Sequence, residues 1–389
     1  MDGRTFTLKR VLAVTVSAML LCAALVGVLA RPDAAPVVGE PVNTLGPCTP
    51  TGPLRTVSQI NRFIESAAGV DEFRGADIGI DVPLAGHRSL WLFGDTLHDT
   101  PAGDRLVRNS MLLFTRGCVR TVRPSEGGPV VPSREDGVGY WPMSAWRSGT
   151  GPESFVYVML QRVAAVPGGG FGFVTLGPAV AVFRLTTSGL PRLIMHRDLG
   201  PDDPATEAPE WGSASALHAG WLYLYGTSTR DLPGVHGFAL RVARVRLLLV
   251  ADRSRWQYWD GSAWGPEAAD AAALIGEMGG VSQTLSVWRQ DGRWYVLSKQ
   301  DEFLGRQIVI WSGPSPTGPF GTPQPVADLP CDLQTGELRY MPLAHPQLLP
   351  RPGTVLVSYS RNRTNLGEVC GDPTLYRPHF LRVALPDPG

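Results

Sequence analysis

Lysine is almost missing from this chain of 389 residues. Of its 35 basic residues only Lys9 and Lys299 are lysines, and the rest are arginines. A surplus of either charge is missing too, because 35 acidic residues balance the basic ones. No basic block occurs, which argues against nucleic acid as a partner, since that affinity comes largely from clustered positive charge. Cysteine is scarce, at five, with no CxxC pair and spacings too wide for a structural zinc site. HExxH, a GxSxG elbow and a phosphate-binding loop are all absent, so three large hydrolase and nucleotide-binding classes lack their motifs. His98, His218 and His345 show no spacing that a metal would demand, and no cofactor is expected. Helical periodicity is confined to residues 57–67 and 267–278.

What is abundant is glycine (45) and proline (35), about a fifth of the chain, alongside 43% apolar residues. That balance can bury a core and favours a turn-rich β protein over a helical bundle.

The first ten residues carry Arg4, Lys9 and Arg10, and residues 11–30 follow without a charge. A basic head before an apolar run reads as an export signal, and twenty residues also suffice to span a bilayer. Residues 1–30 are therefore expected to be a signal peptide or a membrane anchor helix, and both readings stay open. Residues 31–50, rich in Pro, Val and Gly, read as a linker, with one domain over residues 51–389. Setting Cys22 aside leaves Cys48, Cys118, Cys331 and Cys370, an even number that suits an oxidising compartment. Chain order suggests Cys48–Cys118 and Cys331–Cys370 among three connectivities. The expected location is extracytoplasmic, either secreted or attached through residues 11–30.

From Thr51 a hairpin recurs. Its second strands read Ser89-Leu-Trp-Leu-Phe-Gly94, Ser154-Phe-Val-Tyr-Val-Met159, Gly220-Trp-Leu-Tyr-Leu-Tyr225, Arg293-Trp-Tyr-Val-Leu-Ser298 and Gly353-Thr-Val-Leu-Val-Ser358. Alternating apolar and aromatic positions of this length are strand patterns. The turn glycines Gly86, Gly151, Gly220, Gly292 and Gly353 are 65, 69, 72 and 61 residues apart. Five copies of a multi-stranded unit predict an all-β fold, a five-bladed β-propeller, with a β-sandwich as the alternative.

In a propeller the first strand of each unit lines a central funnel. Asp77 and Asp95 flank the first hairpin, nine residues on each side of Gly86, which would set them side by side at one end. Two close carboxyls suit glycoside hydrolysis: one protonates the leaving oxygen and the other acts as base or nucleophile. Proximity splits their pKa values, giving an acid and a base at one pH. The apolar strand around Asp95 favours it as the acid, leaving Asp77 as base or nucleophile. Equivalent positions in later copies offer Trp141, Glu210, Trp211, Gln283 and His345, and the second-strand exits offer Lys299 and Arg361. Flat rings and forked donors are what a sugar needs, so these seven are the candidate substrate-binding residues. Glu210 is the first choice for a third carboxylate, ahead of Asp301 and Glu302.

At Ala76-Asp77-Ile78-Gly79 and Leu90-Trp-Leu-Phe-Gly-Asp-Thr96 the sequence resembles a bacterial family catalogued as a domain of unknown function. Some members of that family are endo-D-arabinanases acting on mycobacterial arabinogalactan and lipoarabinomannan. Ser312-Gly-Pro-Ser-Pro-Thr-Gly-Pro-Phe320 also resembles a blade ending common in five-bladed glycosidases. The resemblance spans residues 61–383 and implies an acidic pair at the funnel, matched here by Asp77 and Asp95. It implies a glycoside hydrolase acting on cell-wall arabinan, and a monomer is expected. The competing readings are a non-catalytic propeller that binds envelope polysaccharide or protein, a hydrolase for L-arabinan or fructan, and an envelope scaffold.

Overall fold

The computed structural model describes residues 43–66, 69–100, 103–125, 127–149, 154–166 and 172–386. The export or anchor segment, most of the linker and the turn glycine Gly151 lie outside the described residues.

The strands form five antiparallel sheets in chain order. The first holds β1 (Thr44–Leu45), β2 (Thr49–Pro50), β3 (Phe73–Leu84), β4 (Arg88–Thr100), β5 (Gly103–Val107), β6 (Ser110–Thr115) and β7 (Cys118–Arg123). The second holds β8 (Gly139–Ser148), β9 (Phe155–Ala165), β10 (Phe173–Leu185) and β11 (Pro191–Asp198). The third holds β12 (Glu210–His218), β13 (Trp221–Ser228), β14 (Ala239–Val245), β15 (Gln257–Trp259) and β16 (Trp264–Gly265). The fourth holds β17 (Ser286–Gln290), β18 (Arg293–Lys299), β19 (Gln307–Gly313) and β20 (Gln324–Asp328). The fifth holds β21 (Glu337–His345), β22 (Thr354–Arg363) and β23 (His379–Ala384).

The first long strand of each sheet is innermost. β3 packs on β8, β8 on β12, β12 on β17 and β17 on β21, and β21 returns to β3, so the ring closes. Apolar side chains fill every seam. In β9, Val156, Val158 and Leu160 face the first sheet while Tyr157 and Met159 face the third, as the two-residue period of a strand requires. Full burial of each such side chain contributes about 1.5–3 kcal/mol. The closing seam sets Leu356 and Phe380 of the fifth sheet against Trp91, Phe93 and Leu112 of the first. The fold is an all-β propeller.

All five hairpins expected from the repeat are present. Asp291-Gly292 forms a tight turn between Gln290 and Arg293, with φ of 49° and 83°, the left-handed pair that such turns demand. The fifth sheet has three strands, and α1 (Val57–Ile64) lies along its outer edge. Thr56 caps this helix by accepting from the Gln59 amide. The Asn61 side chain then takes both backbone bonds of Phe380, at 2.8 Å each, in place of a neighbouring strand.

Three expectations need correction. The end of the supposed linker belongs to the fold: β1 and β2 pair with β7, and Cys48–Cys118 ties the same place covalently. Residues 267–278 are not a helix beyond one short turn at Ala268–Asp270. Its backbone serves the sheet instead: the Leu274 amide donates to the Leu240 carbonyl, and the Leu240 amide donates to the Ile275 carbonyl, along the edge of β14. The second disulfide, Cys331–Cys370, is not formed. The Cys331 thiol turns inward to Lys299 and to the Phe303 and Arg339 carbonyls, whereas Cys370 lies exposed on α2 (Leu366–Gly371). Among the described residues no helix is long and apolar enough to cross a membrane.

Candidate active site

Four of the five inner strands slip register just inside the same mouth of the ring. The slips fall between Ala76 and Ile78 in β3, Pro142 and Ser144 in β8, Trp211 and Ala214 in β12, and Tyr340 and Leu343 in β21. A bulge bends its strand and re-aims the side chain beside it. In β3 the bulge forces Ile78 to a φ of 69°, an outlier for a β-branched residue, and the Ser360 hydroxyl holds its amide at 3.0 Å. Strain of this kind, next to Asp77, is maintained by the surrounding ring.

Asp77 and Asp95 meet at this mouth. Gly94 makes the meeting feasible: a Cβ there would lie 2.6 Å from Asp77 Oδ1 and 2.7 Å from Ile78 Cδ1. The two carboxyls have different partners. Asp77 Oδ2 accepts from the Tyr340 hydroxyl at 3.1 Å, and Tyr340 is held in turn by the Asn362 amide at 3.2 Å. Tyr376 also bonds Asp77. Asp95 receives Arg108 Nη1 across both oxygens, at 3.2 and 3.0 Å, and Trp141 Nε1 at 2.7 Å.

These surroundings separate the pair electrostatically. Burial pushes the Asp77 carboxyl up to about 7, and the charge of Asp95 adds to the rise against the bonds from Tyr376 and Tyr340. Burial raises Asp95 as well, but the Arg108 guanidinium and then the Trp141 and Arg108 hydrogen bonds oppose it. Asp95 keeps 20% of its side-chain surface open, so water reaches it. Both carboxyls of the mouth thus hold their protons more readily than a free aspartate does, with Arg108 and Trp141 opposing that rise at Asp95 and the charge of Asp95 adding to it at Asp77.

The other candidates distribute unevenly. Trp141 belongs to the pair, and Phe173 packs edge-on against it at 4.6 Å between ring centres. Glu210 lies close by, beside Thr175 and Gln161, the latter paired with Trp141 across β8 and β9, and burial raises its pKa. The Gln283 backbone N–H donates to Glu302 Oε2 at 2.7 Å, and burial pushes Glu302 up to about 7. Trp211 is 3% exposed and packs on Tyr258 in the seam between the second and third sheets. Lys299 is 1% exposed, its ammonium spent on the Phe303 and Arg339 carbonyls at 2.9 and 2.6 Å. Arg361 donates to the Arg377 carbonyl at 3.2 Å and lies 3.9 Å from Glu65. His345 sits at the opposite end of the ring, between Asp81 at 2.5 Å and Ser358 at 2.7 Å.

Residues the sequence reading left out complete the site. Arg108 arrives from the turn between β5 and β6, and nothing distinguishes it among so many arginines. Tyr376 comes from an insertion between β22 and β23 that folds back over β3. Arg377 fastens this strap, being 4% exposed and donating to the carbonyls of Arg74, Ile64 and Ser66. Among the described residues no group of three or more His, Cys, Asp or Glu is placed to hold a metal ion.

Residues 59–385 match the family described as Domain of unknown function (DUF5005). The chain belongs to the DUF5005 family. No curated protein matches it in sequence. Among solved structures, this DUF5005 chain is similar to a Bacteroides ovatus protein provisionally described as a hydrolase. The two share 16% identity and a TM-score of 0.62 over 87% of this chain and 93% of that one. Weaker likenesses are to a GH43_1 enzyme from Xanthomonas citri complexed with xylose (15% identity, TM-score 0.44, covering 82% and 88%) and to the α-L-arabinofuranosidase of Podospora anserina (10%, 0.44, covering 82% and 92%). At these identities the likeness concerns the propeller fold.

Proposed function

We propose that the chain is a glycoside hydrolase, with its five sheets as five blades and Asp77 and Asp95 as its two reacting carboxyls. The observation that carries this is their unlike surroundings at one mouth of the ring. Asp77, its pKa raised to about 7 by desolvation and by the charge of Asp95, is the general acid. It gives its proton to the glycosidic oxygen as the bond to the anomeric carbon breaks. Asp95, whose ionised form Arg108 and Trp141 favour, is the base or nucleophile on the sugar's other side. The local electrostatics thus favour the reverse of the roles first suggested by the apolar strand around Asp95. Trp141 and Phe173 offer aromatic surface for a sugar ring, with Glu210 and Gln161 beside them for hydroxyls.

The substrate follows from the resemblance at Asp77-Ile78-Gly79 and Phe93-Gly-Asp-Thr96. It is an arabinan with α-D-arabinofuranosyl linkages, as in arabinogalactan or lipoarabinomannan, cut internally. The protein works outside the cytoplasm as a monomer, secreted or held by residues 11–30. The test is digestion of D-arabinan-containing arabinogalactan, L-arabinan and a fructan by the purified protein, read by product mass and chain length. D-arabino-oligosaccharides of several lengths are expected. Binding without release from any of the three would mean a non-catalytic propeller.

A further inference from the structure

The inner strands all run the same way, so the ends of β3, β8, β12, β17 and β21 surround a second mouth opposite the carboxyl pair. Ile78, Met143 and Leu343, at 1%, 5% and 4% exposure, close the ring between the two. Below this plug lies a cavity of about 780 Å³, a size typical of small-molecule sites. It is open because the strands contribute small side chains there, among them Ala145, Ser215, Ala216, Ser286 and Ala344.

Its wall carries unused hydrogen-bonding capacity. Asp81 Oδ1 is taken by His345 at 2.5 Å, and Oδ2 has no hydrogen-bond partner among the described residues. The Ser286 oxygen accepts from the Ala344 amide at 2.9 Å, which leaves its hydrogen to donate. Ser215 Oγ is buried with no partner at all among the described residues. A buried polar atom in that state costs about 1–3 kcal/mol unless something meets it. His345 is unavailable, both ring nitrogens being engaged by Asp81 and Ser358. The fixed charges cancel, with Asp81 and Asp291 facing Arg289 and Arg351, so neither an anion nor a cation is favoured. Trp288, stacked on Tyr295 at 25°, adds a flat apolar side.

We infer that this second mouth is a binding site for a short neutral saccharide. An acceptor, a donor and a free hydroxyl beside an indole match the adjacent hydroxyls and apolar face of a sugar ring. The site is distinct from the carboxyl pair and takes no part in bond cleavage.

The experiment is a titration of the full chain with cellobiose, a neutral disaccharide, followed by calorimetry and saturation-transfer NMR. Saturable binding is expected at millimolar concentrations. Ala216→Trp, which fills the cavity, should abolish it, and Ser215→Ala should weaken it about fivefold, the value of one hydrogen bond. Trp141→Ala, at the other mouth, should leave it intact. If Ala216→Trp melts early, Ser215→Ala carries the test alone. The inference is overturned if cellobiose fails to saturate by about 50 mM. It is equally overturned if binding ignores the Ser215 and Ala216 changes, or is lost in Trp141→Ala.

Discussion

Replacing Tyr340 by phenylalanine removes one hydroxyl and little else, and its consequence has a definite sign. That hydroxyl donates to Asp77 Oδ2 at 3.1 Å and stabilises the ionised carboxyl, so it holds the Asp77 pKa down. Without it the pKa rises from about 7. A hydrogen bond to a charged group is worth about 1.5–3 kcal/mol, and 1.36 kcal/mol is one pKa unit. With Tyr376 still in place and the bond somewhat long, the lower end applies, giving a rise of about one unit. A general acid works only while protonated, so the alkaline limb of kcat/KM against pH should move up by that amount. Arg108→Gln should move the other limb: without the guanidinium, Asp95 holds its proton to higher pH and the acid limb rises, narrowing the profile. The assay is initial rate of reducing-end release from pH 4 to pH 10. If Tyr340→Phe shifts the acid limb and Arg108→Gln the alkaline one, the roles are reversed. If neither limb moves, the pair does not set the profile.

Gly94→Ala should lower kcat about a hundredfold or more, because its Cβ displaces Asp77. Its stability cost should be only about 1–3 kcal/mol, read by urea unfolding. Arg377→Ala takes the donor from three carbonyls and loosens the strap that carries Tyr376. It should cost about 3 kcal/mol or more in the same unfolding experiment and displace the alkaline limb as well. Cys48→Ser with Cys118→Ser opens a loop with a sequence separation of 70 and should cost about 4 kcal/mol. Adding reductant to the unaltered protein should reproduce that loss.

The second strands of the five hairpins were legible because burial on both faces writes itself as an uninterrupted aromatic and aliphatic run. Asp77 and Asp95 were legible because they bracket one hairpin at equal distances. Their roles were not, since these depend on Tyr340, Tyr376, Arg108 and Trp141, which come from other sheets or from an insertion. Lys299 stood out by rarity, yet its ammonium serves backbone carbonyls deep in the ring. His345 shared a strand with Tyr340, but five positions along β21 carry it to the opposite mouth. Residues 267–278 carry a helical apolar spacing, and the unfilled edge of β14 takes the backbone of Leu274 and Ile275 instead.

The central claim is that hydrolysis needs both Asp77 and Asp95. The most direct measurement is the rate of oligosaccharide release from arabinogalactan by Asp77→Asn and by Asp95→Asn, each shown to be folded by its unfolding curve. Loss of about a thousandfold or more in kcat for each, with KM little changed, is the predicted result. Release at the unaltered rate by either variant would contradict it.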